Sequence, residues 1–206
     1  SVALNNACAG RVLALRVNGT DLPSLEMVLD NAAGELAATR IVLVLEPKTH
    51  LDLQHIVLGN SDSSHSHLLE IYLGKEASLN HGWLALGGGD ATCVADLVIQ
   101  QDLRSEYALT SVQAGWTLSR LHQHVVQLNG FAKTILRGLQ CTKAHEEITT
   151  NSTVRFDGPE GCLEQLNKAV AIDSSHSIFM GNIDVPRVAQ RTNASQLSRN
   201  LLLSNK

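Results

Sequence analysis

Apolar residues recur three or four apart over Leu22–Leu36, where Leu22, Leu25, Val28 or Leu29, Ala32 and Leu36 would share one helical face. Asp21 is a fair N-cap and Gly34 weakens the far end, so this spacing predicts a short helix near the N-terminus. Beyond it the period changes. Ile41-Val42-Leu43-Val44-Leu45 is a continuous apolar run suited to a strand buried on both faces. Leu69, Ile71 and Leu73 alternate with Glu70 and Tyr72, and Phe179, Gly181, Ile183 and Val185 repeat that alternation. Turn residues separate these runs: Gly59-Asn60, Gly74-Lys75 and Gly87-Gly88-Gly89 lie 13 to 15 residues apart, and Gly115 and Asn129-Gly130 continue the rhythm. A strand and its turn take about that length, so each interval could be part of one coil in a stacked array. Pattern alone leaves a β-solenoid and an antiparallel sandwich both open.

Composition narrows what such a fold could do. The chain has 206 residues, with 16 Lys and Arg against 20 Asp and Glu, a net charge of −4. That near-balance argues against bulk nucleic-acid binding and against attraction to anionic membranes. Aromatic residues make up 3% of the chain, too few for a base-stacking surface or an aromatic-lined ligand pocket. Cys8, Cys93, Cys141 and Cys162 form no Cys-x-x-Cys pair and read as buried or free thiols of a reducing compartment, the cytoplasm or a plastid stroma. Ile41–Leu45 is far too short to cross a bilayer. The chain opens without Met and stops soon after Leu201-Leu202-Leu203, so it reads as a piece of a longer protein.

Candidate chemistry is sparse. His65-x-His67 and His122-x-His124 each place two imidazoles on one strand face, the arrangement of many metal pairs, but neither has an obvious third ligand. His145-Glu146-Glu147-Ile148-Thr149 has Thr where a zinc-protease helix needs its second His. Gly87-Gly88-Gly89-Asp90 lacks the Gly-Lys-Ser/Thr ending of a phosphate loop. Asp173-Ser174-Ser175-His176 holds three triad residue types, but sequence neighbours cannot take up triad geometry and a turn is expected. Asp96 and Asp102, or Glu146 and Glu147, qualify as paired acids only by being acids. No catalytic residue and no metal ligand is therefore assigned.

The C-terminal stretch is more specific. Gln165, Lys168, Ser175, Phe179, Gly181, Ile183, Val185, Ala189, Gln190, Thr192, Gln196 and Asn200 through Ser204 form a succession that resembles the SufB/SufD family, scaffold proteins of the SUF iron–sulfur cluster assembly system. Leu69–His81 and Val126–Gly130 resemble weaker upstream motifs of the same family, so the likeness spans Leu69–Ser204. Asn167-Lys168 and the Leu-Leu-Leu-Ser ending resemble SufD more than SufB. Phe156-Asp157 departs from the polar residue that the family carries there.

This resemblance implies an all-β fold, a right-handed parallel β-helix, with its core over residues 41–206. Residues 1–40 would supply a strand and the short helical segment as a cap. In such a fold Gly and Asn take left-handed turn positions, and Val, Ile and Leu fill a narrow interior better than rings do. The function implied is a non-catalytic scaffold that pairs with a SufB-like protein. A SufC-like ATPase would dock on a helical C-terminal region that the sequence stops short of, and a homodimer is the alternative assembly. The family's Cys-Ser-His-Gly segment has no counterpart, so no cofactor or metal is assigned to the chain and the iron–sulfur cluster is left to the assembled complex. Arg191, Gln196, Arg199 and Asn200 are the candidate interface residues, with internal Gln and Asn ladders the competing reading for Gln196 and Asn200. A polysaccharide-active β-helix, or a purely structural one, is the rival function; the former requires an acidic or calcium-bearing cluster on one sheet face.

Overall fold

The computed structural model describes residues 2–204, so residue 1 of the N-terminal segment and residues 205–206 of the core segment lie outside it. A seven-residue helix, α1 (Val2–Cys8), comes first. The strands that follow are β1 (Val12–Val17), β2 (Leu25–Asp30), β3 (Leu36–Leu45), β4 (His50–Leu58), β5 (Ser64–Leu73), β6 (Ser78–Leu86) and β7 (Thr92–Gln101). They continue with β8 (Glu106–Ala114), β9 (Leu118–Gln127), β10 (Lys133–Thr142), β11 (Glu147–Phe156), β12 (Cys162–Ala171), β13 (His176–Asp184) and β14 (Asn193–Leu202). Odd strands form one seven-stranded sheet and even strands the other, each strand pairing in parallel with the strand two further along the chain. Two strands and two corners therefore make one coil of a flattened parallel β-solenoid. Its period is 28 residues where Arg40 pairs with Leu68 and Leu68 with Asp96. The 13-to-15-residue turn rhythm is half of that period.

Alternation decides what faces inward. Leu43, Leu53, Leu69, Ile71, Leu79, Leu97 and Ile99 are fully buried between the two sheets. Ladder hydrogen bonds between coils satisfy the backbone groups, so the interior needs only side chains of the right volume. In the Ile41–Leu45 run only Ile41, Leu43 and Leu45 are buried, while Val42 and Val44 are half-exposed on the outer face, so the run alternates rather than being covered on both sides.

The helix expected over Leu22–Leu36 is absent. Leu25, Met27 and Leu29 instead point inward from β2, in register with Leu53, His55 and Val57 of β4. The three-to-four spacing was coincident with a two-residue period, and ladder pairing outweighs local helix preference. Gly34, at φ +74°, turns the corner into β3, which crosses the expected boundary at residue 40. Coiling thus begins at β1. The helix that does form, α1, lies on the outer face of the odd sheet, where Asn5 Nδ2 donates to Ser66 O at 2.8 Å and Thr39 O at 3.0 Å.

The corners also differ from expectation. Among the described residues nine non-glycine positions hold positive φ, including Lys48, Glu76, Arg104, Phe131, Glu160 and Arg191, and none of the nine is Asn. Several corner glycines serve close approach instead. A Cβ on Gly59 would stand 2.3 Å from the Trp116 ring, and one on Gly87 2.6 Å from both that ring and the Gly115 carbonyl. Rings are not excluded from the interior: Trp83, Trp116, Tyr107 and Phe156 are its largest fully buried side chains. Neighbouring glycines make room for them, as Gly161 does for Phe156.

Candidate functional site

Two features of the solenoid could carry function: its C-terminal end and the polar groups enclosed inside it. At the C-terminal end β13 and β14 are the edge strands of the two sheets. Every residue of β14 is exposed, and Ile178, Met180, Leu197, Leu201 and Leu202 stand open to solvent. A ten-residue edge strand with uncovered aliphatic side chains is a template for pairing with another chain.

The four candidate interface residues lie on three different faces of this end. Gln196 and Asn200 pair in register with the inward-facing Gln165 and Ala169, so they line the mouth of the interior. Gln196 lies against Gly181 of the opposite sheet, where a Cβ would meet its Oε1 at 2.2 Å. Arg199 continues the outward column of Lys168. Arg191 sits at a corner, ion-paired with Glu160 one coil below. In sequence the four are near neighbours; on the folded chain they are dispersed.

Arg191 tops a stack of corner residues with positive φ, one per coil: Lys48, Glu76, Arg104, Phe131, Glu160 and Arg191. Backbone bonds link the corners, including Glu76 N to Leu103 O and Glu160 N to Gln190 O, both donated upward by one coil. No two like charges are neighbours in the stack, in which the uncharged Phe131 separates Arg104 from Glu160, and the Arg104 guanidinium lies 5.4 Å from the centre of the Phe131 ring. Like charges are thereby at least two coils apart, about twice the strand spacing of about 4.8 Å.

Inside, the two halves of the solenoid hold different polar groups. In the C-terminal half Ser119 Oγ donates to Gln113 Oε1 at 2.9 Å, and Gln113 Nε2 donates to Thr150 Oγ1 at 2.9 Å. Gln140 Nε2 donates to the same Thr150 oxygen, while Ser177 Oγ donates to Gln140 Oε1 at 2.7 Å. The chain passes back and forth between the sheets as it rises. Beside it Gln127 Nε2 donates to Thr134 Oγ1, which donates to Gln101 Oε1. None of these residues belongs to the sequence candidates; their only signal was polar side chains at inward positions of alternating strands.

In the N-terminal half the enclosed polar groups are imidazoles. His55, His67 and His81 project inward from β4, β5 and β6 and are buried, with Trp83 beside them. Burial lowers the His55 pKa to about 4 and holds His67 and His81 well below the ordinary imidazole value. His65 faces the same interior as His67, as the His-x-His spacing predicted, and contacts Trp116 edge-on. His122-x-His124 faces outward instead. There His122 Nδ1 meets Asp96 Oδ1 at 3.0 Å, so the imidazole has a carboxylate partner on the neighbouring coil. Cys93 is enclosed with its thiol pushed up to about 12 by burial, whereas Cys8 is exposed.

The turn expected at Asp173-Ser174 is a turn, with Asp173 at positive φ, and His145 of the rejected zinc-protease motif also lies in a turn, beside Ala144 at positive φ. With a parallel solenoid in place, the decisive observation is a match of residues 28–206 to the SufBD core domain of SUF system iron–sulfur cluster assembly. The chain belongs to the SufBD family. It is 36% identical over 137 residues to an iron–sulfur cluster assembly SufBD family protein of Synechocystis, covering 66% of this chain and 30% of that protein. It is 34% identical over 137 residues to the chloroplastic protein ABCI7 of Arabidopsis thaliana, covering 66% and 29%. Similarity to the SufD of Plasmodium berghei is lower, 23% over 168 residues, covering 80% of this chain and 12% of that protein. The chain thus spans less than a third of the length of these SufBD relatives. Among the described residues no helix is long and apolar enough to cross a membrane.

Proposed function

We propose that the chain is the solenoid core of a SufD-like, non-catalytic scaffold subunit that pairs with a SufB-like protein through its last coil. The observation that carries this reading is the pair of exposed edge strands, β13 and β14, with Ile178, Met180, Leu197, Leu201 and Leu202 uncovered. Strand pairing would extend both sheets across the interface, and the aliphatic side chains would supply the apolar burial. Arg199 would lie at the rim, and Gln196 and Asn200 at the mouth of the joined interiors. The iron–sulfur cluster is cargo of the assembled complex, in which a SufC-like ATPase supplies the energy. The compartment is the cytoplasm or a plastid stroma, in keeping with free thiols and with a chloroplastic relative.

Light scattering after size exclusion, with this chain and the SufB protein of the same source, tests the pairing. A one-to-one complex is expected, and Leu197→Glu with Leu201→Glu should abolish it while leaving the circular dichroism of the solenoid unchanged. Separate elution of SufB from both this chain and a longer form carrying the following region would overturn the reading.

A further inference from the structure

The two outer faces of the solenoid are unlike. On the odd sheet α1 is seated, and Arg40–Glu70, Arg120–Glu147 and Arg155–Asp157 pair charges on the surface. On the even sheet two neighbouring outward columns are mainly aliphatic. One runs through Leu58, Leu86, Ala114, Cys141 and Val170. The other runs through Ile56, Leu84, Val112 and Leu139, and every residue of both is at least partly open to solvent. An apolar stripe continuous over four or five strands marks an interaction surface.

Charge distinguishes the two ends of this stripe. Glu26 and Asp30 stand beside it on β2, and Arg137, Lys168 and Arg199 stand beside it on β10, β12 and β14. The ion pairs among the described residues use none of these five side chains. A face with acids at one end and bases at the other is complementary to itself turned end over end. An anionic lipid surface or an acidic helix would answer the basic end alone.

A two-fold axis parallel to the strands and above β8, the middle strand of the seven, lays β2 on β14, β4 on β12 and β6 on β10 of a second copy. Leu84 then meets Leu139, and Val112 meets its own counterpart. Arg199 comes down on Val28, between Glu26 and Asp30. Packed sheets turned by about 30° shift residues three strands from the axis by about one column, which brings Arg199 onto one of those two acids. Arg137 comes down on Gly82, where a hollow of about 470 Å³ is lined by Asn80 and Thr110 with Gln54 Oε1 beside it. Seven strands about 4.8 Å apart make a face about 30 Å wide and about as long, enough for the roughly 800 Å² per partner of a stable interface. The geometry points to a homodimer in which the outer faces of two even sheets pack on each other about this axis. The edges of β13 and β14 stay free in it, so it is separate from the strand pairing proposed above.

Sedimentation velocity of the chain should show a monomer–dimer equilibrium at micromolar concentration. Val112→Asp sets two carboxylates against each other on the axis, far from the edge strands, and should weaken dimerisation at least tenfold. Arg199→Glu should weaken it as well, and adding Glu26→Arg with Asp30→Arg should restore it. Because a carboxylate in mid-sheet could disturb folding, Val112→Cys is also followed, in a chain with Cys8→Ser, Cys141→Ala and Cys162→Ser; Cys93 is enclosed. A short bismaleimide should link two copies through Val112→Cys. Through Glu26→Cys it should link none, since the two positions stand about six strand spacings apart across the axis. A monomer at every concentration, as a face covered by lipid or by another protein would give, would overturn the proposal. So would a dimer indifferent to folded Val112→Asp, no recovery on charge exchange, or no link through Val112→Cys.

Discussion

The coils built from β2 to β7 and those built from β8 to β13 share one backbone and differ in what they enclose. The first group packs Leu43, Leu53, Leu69, Leu79 and Leu97 around imidazoles whose nitrogens are largely unpartnered. The second threads amides and hydroxyls into a connected chain, Ser119–Gln113–Thr150–Gln140–Ser177. A solenoid permits both because its backbone hydrogen bonds run between coils and make no demand on the side chains inside. What differs is the role of the buried polar group. In the second half each polar atom in that chain has a neighbour that needs it, whereas in the first half five imidazole nitrogens among the described residues have none.

The largest effect should come from the hydrocarbon side of this contrast. Trp83 is fully buried, so Trp83→Ala should cost about 3–5 kcal/mol in urea unfolding at pH 7. A cost under 1 kcal/mol would mean that the N-terminal half is not tightly packed.

Acid should act chiefly on the same half. His55 has a folded pKa of about 4 against an ordinary 6.5, so the unfolded chain takes up its proton first. Stability is then full above pH 6.5 and falls as the pH drops from 6.5 towards 4, by about 3 kcal/mol for His55 alone. His67 and His81 add in the same direction. The groups facing them are Thr39, Tyr107, Trp83 and His65, none of them an anion that could offset the proton. Urea midpoints between pH 7.5 and 4 should show this slope, and His55→Phe should flatten it.

One kind of substitution should have opposite signs in the two halves. Gln140→Leu takes away the acceptor of Ser177 and one of the two donors to Thr150 and should cost about 1–3 kcal/mol. His55→Phe removes two unpartnered nitrogens and should leave the chain as stable or more so. Equal losses in thermal unfolding would erase the distinction between the two interiors.

The smallest effect belongs outside both. Arg191 and Glu160 form an ion pair with side chains 77% and 30% exposed, so Arg191→Ala should change stability by less than about 0.5 kcal/mol. If Arg191 serves partner binding instead, the same variant should weaken the complex while leaving urea unfolding unchanged.

Much of the architecture is legible along the chain. The half-coil rhythm of turns, the alternation of Leu69, Ile71 and Leu73, and the succession from Gln165 to Ser204 lead to a solenoid of the SufBD family without any coordinates. The error over Leu22–Leu36 shows the limit of local pattern, since Leu25 and Leu29 satisfy both periods and only the pairing of β2 with β4, which turns Met27 inward between them, separates the two. The enclosed imidazole cluster was half visible. His65-x-His67 announced two imidazoles on one face, but His55 and His81 lie about half a coil away in the chain, on the opposite sheet.

Side-chain alternation and turn chemistry are local properties, so the sequence by itself determined the half-coil rhythm and the inward face of runs such as Leu69–Leu73. Which inward residues meet is set by the register between coils some 28 residues apart and by the distance between two sheets. No short stretch of chain contains either quantity. Only the tertiary structure could therefore bring His55, His67 and His81 together, link Gln113 to Thr150, and scatter Arg191, Gln196, Arg199 and Asn200 over three faces of one end.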